Sequence, residues 1–437
     1  MKPAPAIEIA EIESLDHEGR GVARIGGKAV FVDGALPGES VRFQRVRRRR
    51  RYDEAVVVEV LRAAPDRVTP RCPHFGVCGG CSLQHLDHAA QLAAKGRIVA
   101  EELMRIGGVR PERWLPPLAG PIWAYRRRAR LGSKFVDRKE RVLVGFRERG
   151  SPLLADLGRC EVLAAPVGDL ITDLAGLIGG LELKRRVAQI EVAVAENVTA
   201  LVLRVLDEPL EADLAKLREF ESRHGVALYL QPAGLDSVRP LSPPAVPLNY
   251  GLPGLQAGIE FAPTDFVQVN GELNRLMVAR ALELLEPRAT DRALDLFCGL
   301  GNFSLPLAQK LAQVTAVEGD AALVRRAEAN AARNGIGNVR FHVANLAVEG
   351  LHAAWAAERY DLVLLDPPRA GAREVLPLAA SSRPRRIVYV SCHAGTFARD
   401  AGILAEQLGY RLVAAGIMDM FPHTSHVESI ALFEPAA

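Results

Sequence analysis

A strand–turn–helix pattern at residues 292–311 constrains the fold of this chain more than any other stretch. Residues 292–297 predict a buried strand, Gly299 and Gly301 predict a tight turn, and residues 303–311 predict an apolar helix. Strand and helix patterns alternate from there onward, which is typical of a doubly wound parallel sheet. Because glycines at such a turn let a ligand approach the backbone closely, we expect a cofactor to bind at this end of the sheet.

The residues around this turn indicate which cofactor it holds. A dinucleotide fingerprint requires glycine where this chain has Ser304, whereas S-adenosylmethionine has no pyrophosphate and needs only a looser turn. The next predicted strand ends at Glu318, where a carboxylate would hold ribose hydroxyls, and Asn345 follows a third strand, where it would contact adenine. Cys298 is predicted to be a small core residue. The pattern therefore favours S-adenosylmethionine.

A further strand, residues 360–366, ends in Asp366 and is followed by two prolines and Arg369. Prolines fix the backbone direction beyond the strand, and a carboxylate held there can hydrogen-bond an imide or amide edge. Enzymes that methylate amino groups place an aromatic residue after the two prolines. Arg369 at this position argues against an amino-group target.

Cys392 follows the fifth predicted strand of this region, next to the strand that ends at Asp366. We expect the helix that starts near Thr396 to lower the thiol pKa. Methylation at carbon 5 of a pyrimidine needs a nucleophile that adds at carbon 6, and then a base that removes the carbon-5 proton. Cys392 is the predicted nucleophile, and Glu428, near the last strand, is the candidate base.

The N-terminal region, residues 1–68, predicts short strands separated by glycine turns, as in a small five-stranded β-barrel. Residues 42–51 contain seven arginines and no acidic residue. Such a strand pair suits binding to an RNA backbone, although charges also protect sheet edges from pairing. We favour RNA contact, because this many unbalanced arginines exceeds what edge protection needs.

Three cysteines, Cys72, Cys78 and Cys81, lie within ten residues, and Cys160 is the remaining cysteine outside the C-terminal half. In a reducing compartment such spacing indicates metal binding and not disulfides. Four thiolates fit either a tetrahedral zinc ion or a cubane iron–sulfur cluster. His74 would be an alternative ligand in a zinc site.

The length of 437 residues and the hydrophobic fraction of 49% indicate a multi-domain globular protein. We predict a barrel at residues 1–68, a central α+β domain with the cysteines at residues 69–265, and an α/β domain at residues 266–437. No apolar run is long enough to span a membrane, and residues 1–5 show no secretory signal, so a cytoplasmic location is expected. A monomer is expected because the substrate is large.

Together these motifs resemble the RNA uracil-C5 methyltransferase family, across essentially the whole chain. The resemblance rests on six sequence features: the cysteine cluster at 72–81, Phe266-Val-Gln-Val-Asn270, Asp295-Leu-Phe-Cys-Gly-Leu-Gly-Asn302, Leu365-Asp-Pro-Pro-Arg369, Ser391-Cys392 and His426-Val-Glu-Ser429. The N-terminal barrel is similar to a TRAM domain, which is OB-like. Because the family branch with both a TRAM domain and the cysteines acts on bacterial 23S rRNA, the resemblance implies that substrate. A tRNA or dual-site rRNA enzyme, and a non-catalytic RNA-binding assembly factor, are the alternatives.

The resemblance also implies site residues. It implies a 4Fe–4S cluster on Cys72, Cys78, Cys81 and Cys160, and a class I methyltransferase domain in which Cys392 is the nucleophile and Glu428 the base. The implied S-adenosylmethionine contacts are Gln268, Phe297, Asn302, Glu318, Asn345 and Asp366. One departure concerns the residues after the nucleophile, where the family usually has Asn-Pro and this chain has His393 and Ala394.

Overall fold

The computed structural model describes residues 7–348, 350, 351 and 353–436. The chain forms two units, each with its own core. The first contains residues up to Ile98 together with Phe146–Ala155 and Phe421–His426, and the second contains Val99–Gly145, Asp156–Met420 and Val427–Ala437. The predicted three-domain boundaries stay predictions, and the N-terminal residues 1–5 lie outside the described residues.

A six-stranded sheet forms the larger part of the first unit, with strand order β1-β5-β6-β4-β3-β2. Its strands are β1 (Ile7–Glu11), β2 (Ser14–Leu15), β3 (Gly21–Ile25), β4 (Lys28–Asp33), β5 (Ser40–Arg48) and β6 (Tyr52–Arg62). All pairs are antiparallel except β4 with β6. Alternate apolar side chains, including Val30, Val32, Val41 and Phe43, point to one side and form a buried core.

The prediction of five strands was wrong by one, because Ser14 and Leu15 form a short additional strand against the start of β3. So short a strand has no periodic pattern in the sequence. The described pairing does not join β1 to β2, so closure of this sheet into a barrel stays a prediction.

The arginine-rich stretch of β5 and the following turn is partly neutralised by acids from neighbouring strands. The ion pairs are Arg42 with Glu59, Arg45 with Glu8 and Asp53, and Arg47 and Arg49 with Glu54. Arg48, Arg50 and Arg51 are exposed and, within the described residues, have no carboxylate within 4.0 Å. The local excess of charge is therefore concentrated at the end of the β5–β6 hairpin.

The second unit contains most of the remaining elements. Helix α1 (His88–Arg105) begins in the first unit and ends in the second. The other helices are α2 (Ile171–Gly179), α3 (Glu211–His224), α4 (Gly271–Leu285), α5 (Ser304–Ala308), α6 (Ala321–Arg333), α7 (Leu376–Ser381) and α8 (Ala394–Glu406), with 3-10 turns at Asp137–Lys139, Leu235–Ser237 and Ala354–Ala357. Among the described residues, no helix is both long and apolar enough to cross a membrane.

A mixed six-stranded sheet, with order β13-β12-β11-β10-β8-β9, forms the central part of this unit. Its strands are β8 (Arg128–Val136), β9 (Arg141–Gly145), β10 (Val187–Val194), β11 (Thr199–Val205), β12 (Val226–Gln231) and β13 (Arg239–Pro240). The proline-rich stretch from residue 240 leads into a two-stranded hairpin, β14 (Leu248–Tyr250) with β15 (Ile259–Phe261).

An eight-stranded sheet contains most of the predicted site residues, with order β18-β17-β16-β19-β20-β22-β21-β7. Its strands are β7 (Arg113–Trp114), β16 (Arg292–Leu296), β17 (Gln313–Glu318), β18 (Val339–Val343), β19 (Leu362–Leu365), β20 (Arg386–Ser391), β21 (Tyr410–Met418) and β22 (Glu428–Pro435). The chain winds from β16 through β17 to β18, and then returns to the other side of β16 with β19. The strand order therefore reverses at β16, which is where ligands bind in open α/β sheets.

Candidate active site

Most of the predicted site residues follow strands that end at one edge of the eight-stranded sheet. Leu296 at the end of β16 pairs with Leu365 at the end of β19, and Leu365 pairs with Tyr389 of β20. β22 runs in the opposite direction, so its first residues reach this same edge. The predicted residues at the edge are Phe297, Asn302, Glu318, Asn345, Asp366, Cys392 and Glu428.

The glycine turn after β16 has the backbone that a close ligand approach requires. Phe297, Gly299 and Gly301 all have positive φ, at 66°, 55° and 89°. The amides of Phe297 and Cys298 donate to the Val317 carbonyl at 2.9 and 3.1 Å, which anchors the turn to β17. A Cβ at Gly299 would meet nothing within 4 Å, so the space beside it is open. Cys298 is buried, which confirms its prediction as a core residue.

Glu318 is fixed at the end of β17 by backbone amides. One carboxylate oxygen accepts from Gly299 at 3.1 Å, and the other accepts from Gly319 at 2.7 Å and Asp320 at 3.1 Å. Its orientation is therefore set before any ligand binds. Asn345 is exposed, and its side-chain oxygen accepts from the Ala347 amide at 3.0 Å.

Asn302 takes part in an amide network that sequence reasoning missed. Its oxygen accepts from Asn274 Nδ2 at 2.9 Å and from the Tyr250 hydroxyl at 3.1 Å, and its own Nδ2 donates to Asn274 Oδ1 at 3.0 Å. The network links the glycine turn to α4 and to the hairpin strand β14. A contact between Asn302 and a cofactor stays a prediction.

Arg127 lies beside Gln268 and was not among the site residues predicted from the sequence. Its Nε donates to the Gln268 carbonyl at 2.7 Å, and its guanidinium stacks on the Tyr250 ring at 4.6 Å. Burial lowers its pKa. Side chains along a strand alternate between its two faces, and Arg127 lies on the same face as the buried Tyr125, Ala129 and Leu131. This alternation could have indicated that Arg127 is buried.

Two desolvated carboxyl groups lie at the ends of β16 and β19, where the strand order of the sheet reverses. Burial raises the pKa of Asp295 to about 7, and the Ser304 hydroxyl donates to one of its oxygens in a short hydrogen bond. The other Asp295 oxygen has no partner among the described residues. Burial also raises the pKa of Asp366 to about 7, because its carboxyl group is desolvated although the residue as a whole is only half-buried.

Cys392 directly follows β20, and Glu428 is the first residue of the neighbouring strand β22. The last pair of the antiparallel β20–β22 ladder is Ser391 with Ser429, so Cys392 and Glu428 both adjoin this pair. Glu428 is buried and Cys392 is half-buried. The charges of Glu428, Asp366 and Arg369 all act on the thiol, which indicates that these groups lie around it.

The expectation of a lowered thiol pKa was wrong. Burial, and then the charges of Glu428 and Asp366, raise the pKa of Cys392 to about 11, and Arg369 only partly opposes them. Helix α8 begins at Ala394, and His393 is its N-cap, with Nδ1 accepting from the Thr396 amide at 3.2 Å. Two carboxylates and desolvation therefore outweigh the helix terminus.

The cysteine loop belongs to the first unit and contains Cys72, Cys78 and Cys81, all half-buried. The Cys72 amide donates to Gln84 Oε1 at 3.1 Å, and the Gly80 amide donates to the Cys78 sulfur at 3.4 Å. Cys160 is a residue of the second unit. Across the described ranges, no three His, Cys, Asp or Glu side chains are arranged to hold a metal ion.

His85 is a buried polar residue beside this loop. Its ring packs on Phe75 at 5.2 Å, and both ring nitrogens lack a hydrogen-bond partner within the described residues. Burial lowers its pKa to about 4, so the ring is neutral. A thiol-rich loop next to an orphaned imidazole N–H fits a group that is rich in sulfur acceptors.

Comparison with known proteins identifies the family. Residues 255–435 match the model of the tRNA (Uracil-5-)-methyltransferase family, and residues 9–52 match the TRAM domain. A Methylococcus capsulatus protein named 23S rRNA (uracil(1939)-C(5))-methyltransferase RlmD is 52% identical over 99% of this chain and 98% of its own length. The chain belongs to the RNA uracil-C5 methyltransferase family. A Nitrosococcus oceani member with the same name is 54% identical over 97% of this chain and 95% of its own length.

A solved structure agrees with the fold of this uracil-C5 methyltransferase family member. The Pyrococcus abyssi tRNA (uracil-54, C5)-methyltransferase, in complex with S-adenosyl-L-homocysteine, superposes with a TM-score of 0.75 at 24% identity, covering 97% of this chain and 99% of that one. The predicted combination of a TRAM domain with a methyltransferase domain is therefore confirmed.

Proposed function

We propose that this chain transfers a methyl group from S-adenosylmethionine to carbon 5 of a uridine in 23S rRNA, through a covalent adduct on Cys392. The observation that carries the proposal is that the β20–β22 ladder ends at the Ser391–Ser429 pair, next to Cys392 and Glu428, and that the charges of Glu428 and Asp366 act on the Cys392 thiol. The RNA class is supported by relatives of more than half identity over nearly the whole chain, which are named for uridine 1939 of 23S rRNA.

The geometry supports a division of roles among these residues. The Cys392 thiol must first lose its proton, and Asp366, whose pKa is about 7, is the acceptor that we propose. The thiolate then adds to carbon 6 of the uracil, which makes carbon 5 nucleophilic. S-adenosylmethionine, when bound, supplies the methyl group. Glu428 removes the carbon-5 proton, and the returning electron pair expels the thiolate.

Trapping with 5-fluorouridine RNA tests the covalent step. Fluorine at carbon 5 cannot be removed as a proton, so wild-type protein is expected to accumulate a protein–RNA adduct that maps to the Cys392 peptide by mass spectrometry. Cys392→Ala should form no adduct, and Glu428→Gln should accumulate one even with ordinary RNA. Methylation of natural RNA without any adduct on fluorinated RNA would contradict covalent catalysis.

Mapping of 5-methyluridine tests the RNA target. Ribosomal and transfer RNA from cells that lack this gene should have lost the modification in 23S rRNA alone, and wild-type protein should restore it. Loss from tRNA would support the tRNA alternative. Full restoration by Cys392→Ala would support the assembly-factor alternative.

We further propose that the cysteine loop holds a 4Fe–4S cluster through Cys72, Cys78 and Cys81, with Cys160 as the fourth ligand implied by the family. The support is the donor set of three thiols on one loop, the amide that donates to the Cys78 sulfur, and the orphaned His85 ring beside it. The cluster would supply a covalent centre for a loop that otherwise has little regular structure.

Anaerobic purification tests the cluster. We expect a brown protein with broad absorbance at about 400 nm and iron and sulfide in equal amounts, both lost in Cys78→Ala. A colourless protein with stoichiometric zinc would contradict the proposal.

A further inference from the structure

Arg127 has an unsatisfied charge deep inside the second unit. The residue is 6% exposed, and its Nη2 has no hydrogen-bond partner. Within the described residues no carboxylate lies within 4.0 Å of its guanidinium, whose Nε is already bonded to the Gln268 carbonyl. Glu196 is the acid whose charge acts on Arg127, but it is already paired with Arg275. A buried cation that lacks an ion pair of its own is costly, so such a site favours a bound anion.

The amino terminus of helix α4 lies against this guanidinium. A Cβ on Gly271, the first residue of α4, would lie 3.0 Å from Arg127 Nη1, which shows how closely the two approach. Asn270 caps the helix by accepting from the Leu273 amide at 3.2 Å, whereas the amides of Gly271 and Glu272 precede the first intrahelical bond. A fixed guanidinium and a helix amino terminus together form an anion site.

Contacts connect this anion site to two predicted cofactor residues. Arg127 bonds the backbone of Gln268 and stacks on Tyr250, and the Tyr250 hydroxyl donates to Asn302 in the glycine turn. The carboxyl groups of Asp295, Glu318 and Asp366 lie along the ends of β16, β17 and β19. The surroundings of Arg127 therefore favour an anion, whereas the ends of these three strands favour cations.

We propose that Arg127 and the amino terminus of α4 bind the carboxylate of the methionine part of the cofactor. This rests on the proposed use of S-adenosylmethionine, whose sulfonium and ammonium are cations and whose carboxylate is its one anionic group. The deep burial of Arg127 favours a small anion that enters with the cofactor over a phosphate of a polynucleotide. Arg127 is thereby assigned as a determinant of cofactor binding.

A pair of ligands that differ only in this carboxylate tests the proposal. Calorimetry on the full-length protein would compare S-adenosylhomocysteine with its decarboxylated analogue, S-adenosyl-3-thiopropylamine. Wild type should bind S-adenosylhomocysteine at least ~10-fold more tightly, and Arg127→Gln should lose about that factor for S-adenosylhomocysteine while changing less than ~3-fold for the analogue. Arg127→Lys should lie between them.

The control is Arg128→Gln, the next arginine along, whose Nη1 donates to the Pro263 carbonyl and which should leave the ligand ratio unchanged. If Arg127→Gln still binds the analogue, the variant is folded. If it binds neither ligand, the test uses Arg127→Lys instead, and the affinity ratio of S-adenosylhomocysteine to the analogue is compared with that of wild type. Equal loss for both ligands, or a loss of RNA binding alone, would overturn the proposal. Failure of wild type to bind either ligand would instead contradict the proposed function.

Discussion

Cys392 is a thiol that its surroundings keep protonated. Its pKa of about 11 arises from burial and from the charges of Glu428 and Asp366. We therefore expect the alkylation rate of Cys392 by iodoacetamide to keep rising up to about pH 11, as followed by mass spectrometry of its peptide. Glu428→Gln removes a negative charge that disfavours the thiolate, so the midpoint should move to lower pH.

The control for this experiment is Glu406→Gln, an exposed residue near the end of α8. It should leave the alkylation profile of Cys392 unchanged. A midpoint below pH 8 in wild type, or no shift in Glu428→Gln, would show that the carboxylates do not control the thiol.

Asp295 should make the stability of the second unit dependent on pH. Its pKa is raised from an ordinary 3.8 to about 7, so the folded state binds the proton more tightly than the unfolded state. The stabilisation from protonation is complete below about pH 4 and is lost as the pH rises through about 7, with an upper limit on the order of 4 kcal/mol. Asp295→Asn cannot ionise, and should raise the thermal midpoint more at pH 8 than at pH 5.

Asp169→Asn, at an exposed position, is the matched control and should shift the midpoint equally at both pH values. The pKa of Asp366 is also raised, so Asp295→Asn is expected to reduce the pH dependence of stability and not to abolish it. A thermal midpoint of the second unit that rises from pH 5 to pH 8 in wild type would contradict the raised pKa of Asp295.

At the scale of elements, the first turn of α8 explains how the chain tolerates His393 and Ala394 in place of Asn-Pro. His393 Nδ1 accepts the Thr396 amide as an asparagine cap would, and Ala394 occupies the first helical position, where proline is also accepted. His393→Ala should cost about 1 kcal/mol, whereas His393→Asn should be close to neutral. Thermal unfolding of the two variants measures the difference, and equal midpoints would exclude a capping role.

The two glycines of the turn after β16 should respond differently to alanine. A Cβ at Gly301 would lie 3.0 Å from Leu305 Cγ and φ is 89°, whereas at Gly299 φ is 55° and the space is empty. Gly301→Ala should therefore cost more than the roughly 1–2 kcal/mol of a left-handed residue, and Gly299→Ala should cost about that amount. Because the open space at Gly299 is where the cofactor is expected, Gly299→Ala should weaken S-adenosylhomocysteine binding relative to its effect on stability. If Gly299→Ala cost more stability than Gly301→Ala, and Gly301→Ala weakened S-adenosylhomocysteine binding more, the expected position of the cofactor beside Gly299 would be contradicted.

The elements that sequence predicted well are those whose signals are local. The strands before the glycine turn, Asp366 and Cys392 are continuous apolar segments, so their pattern was sufficient, whereas the helix predicted at 303–311 extends only over Ser304–Ala308. Arg127 was missed because its significance depends on Gln268 and Tyr250, which are far away in the sequence. The thiol pKa was wrong for the same reason, since Glu428 reaches Cys392 only through strand pairing.

At the scale of the whole molecule, the exposed arginines of the first unit should determine RNA affinity without affecting cofactor affinity. Replacing Arg48, Arg50 and Arg51 together by Ala should weaken binding to 23S rRNA fragments and reduce the salt slope by about 2, if each contacts one phosphate. Filter binding at several salt concentrations measures the slope, and calorimetry with S-adenosylhomocysteine should show no change.

Arg42→Ala is the control, because Arg42 is exposed but already paired with Glu59 at 2.6 Å. It should change the salt slope less than a single substitution of Arg48, Arg50 or Arg51 by Ala. The sequence showed seven arginines without an intervening acid, but it could not show that strands β1 and β6 contribute the acids that neutralise several of them. An unchanged salt slope in the triple variant would mean that RNA binds elsewhere.

β22 is hydrogen-bonded on both sides, to β20 and to β21, although it follows both of them in the chain. During synthesis on the ribosome, β20 and β21 each have an edge without a partner until residues 428–435 emerge from the exit tunnel. Glu428 arrives with that strand. A nascent chain therefore cannot assemble the proposed catalytic pair early, and ribosome-bound intermediates stalled before residue 428 should remain sensitive to protease around β21.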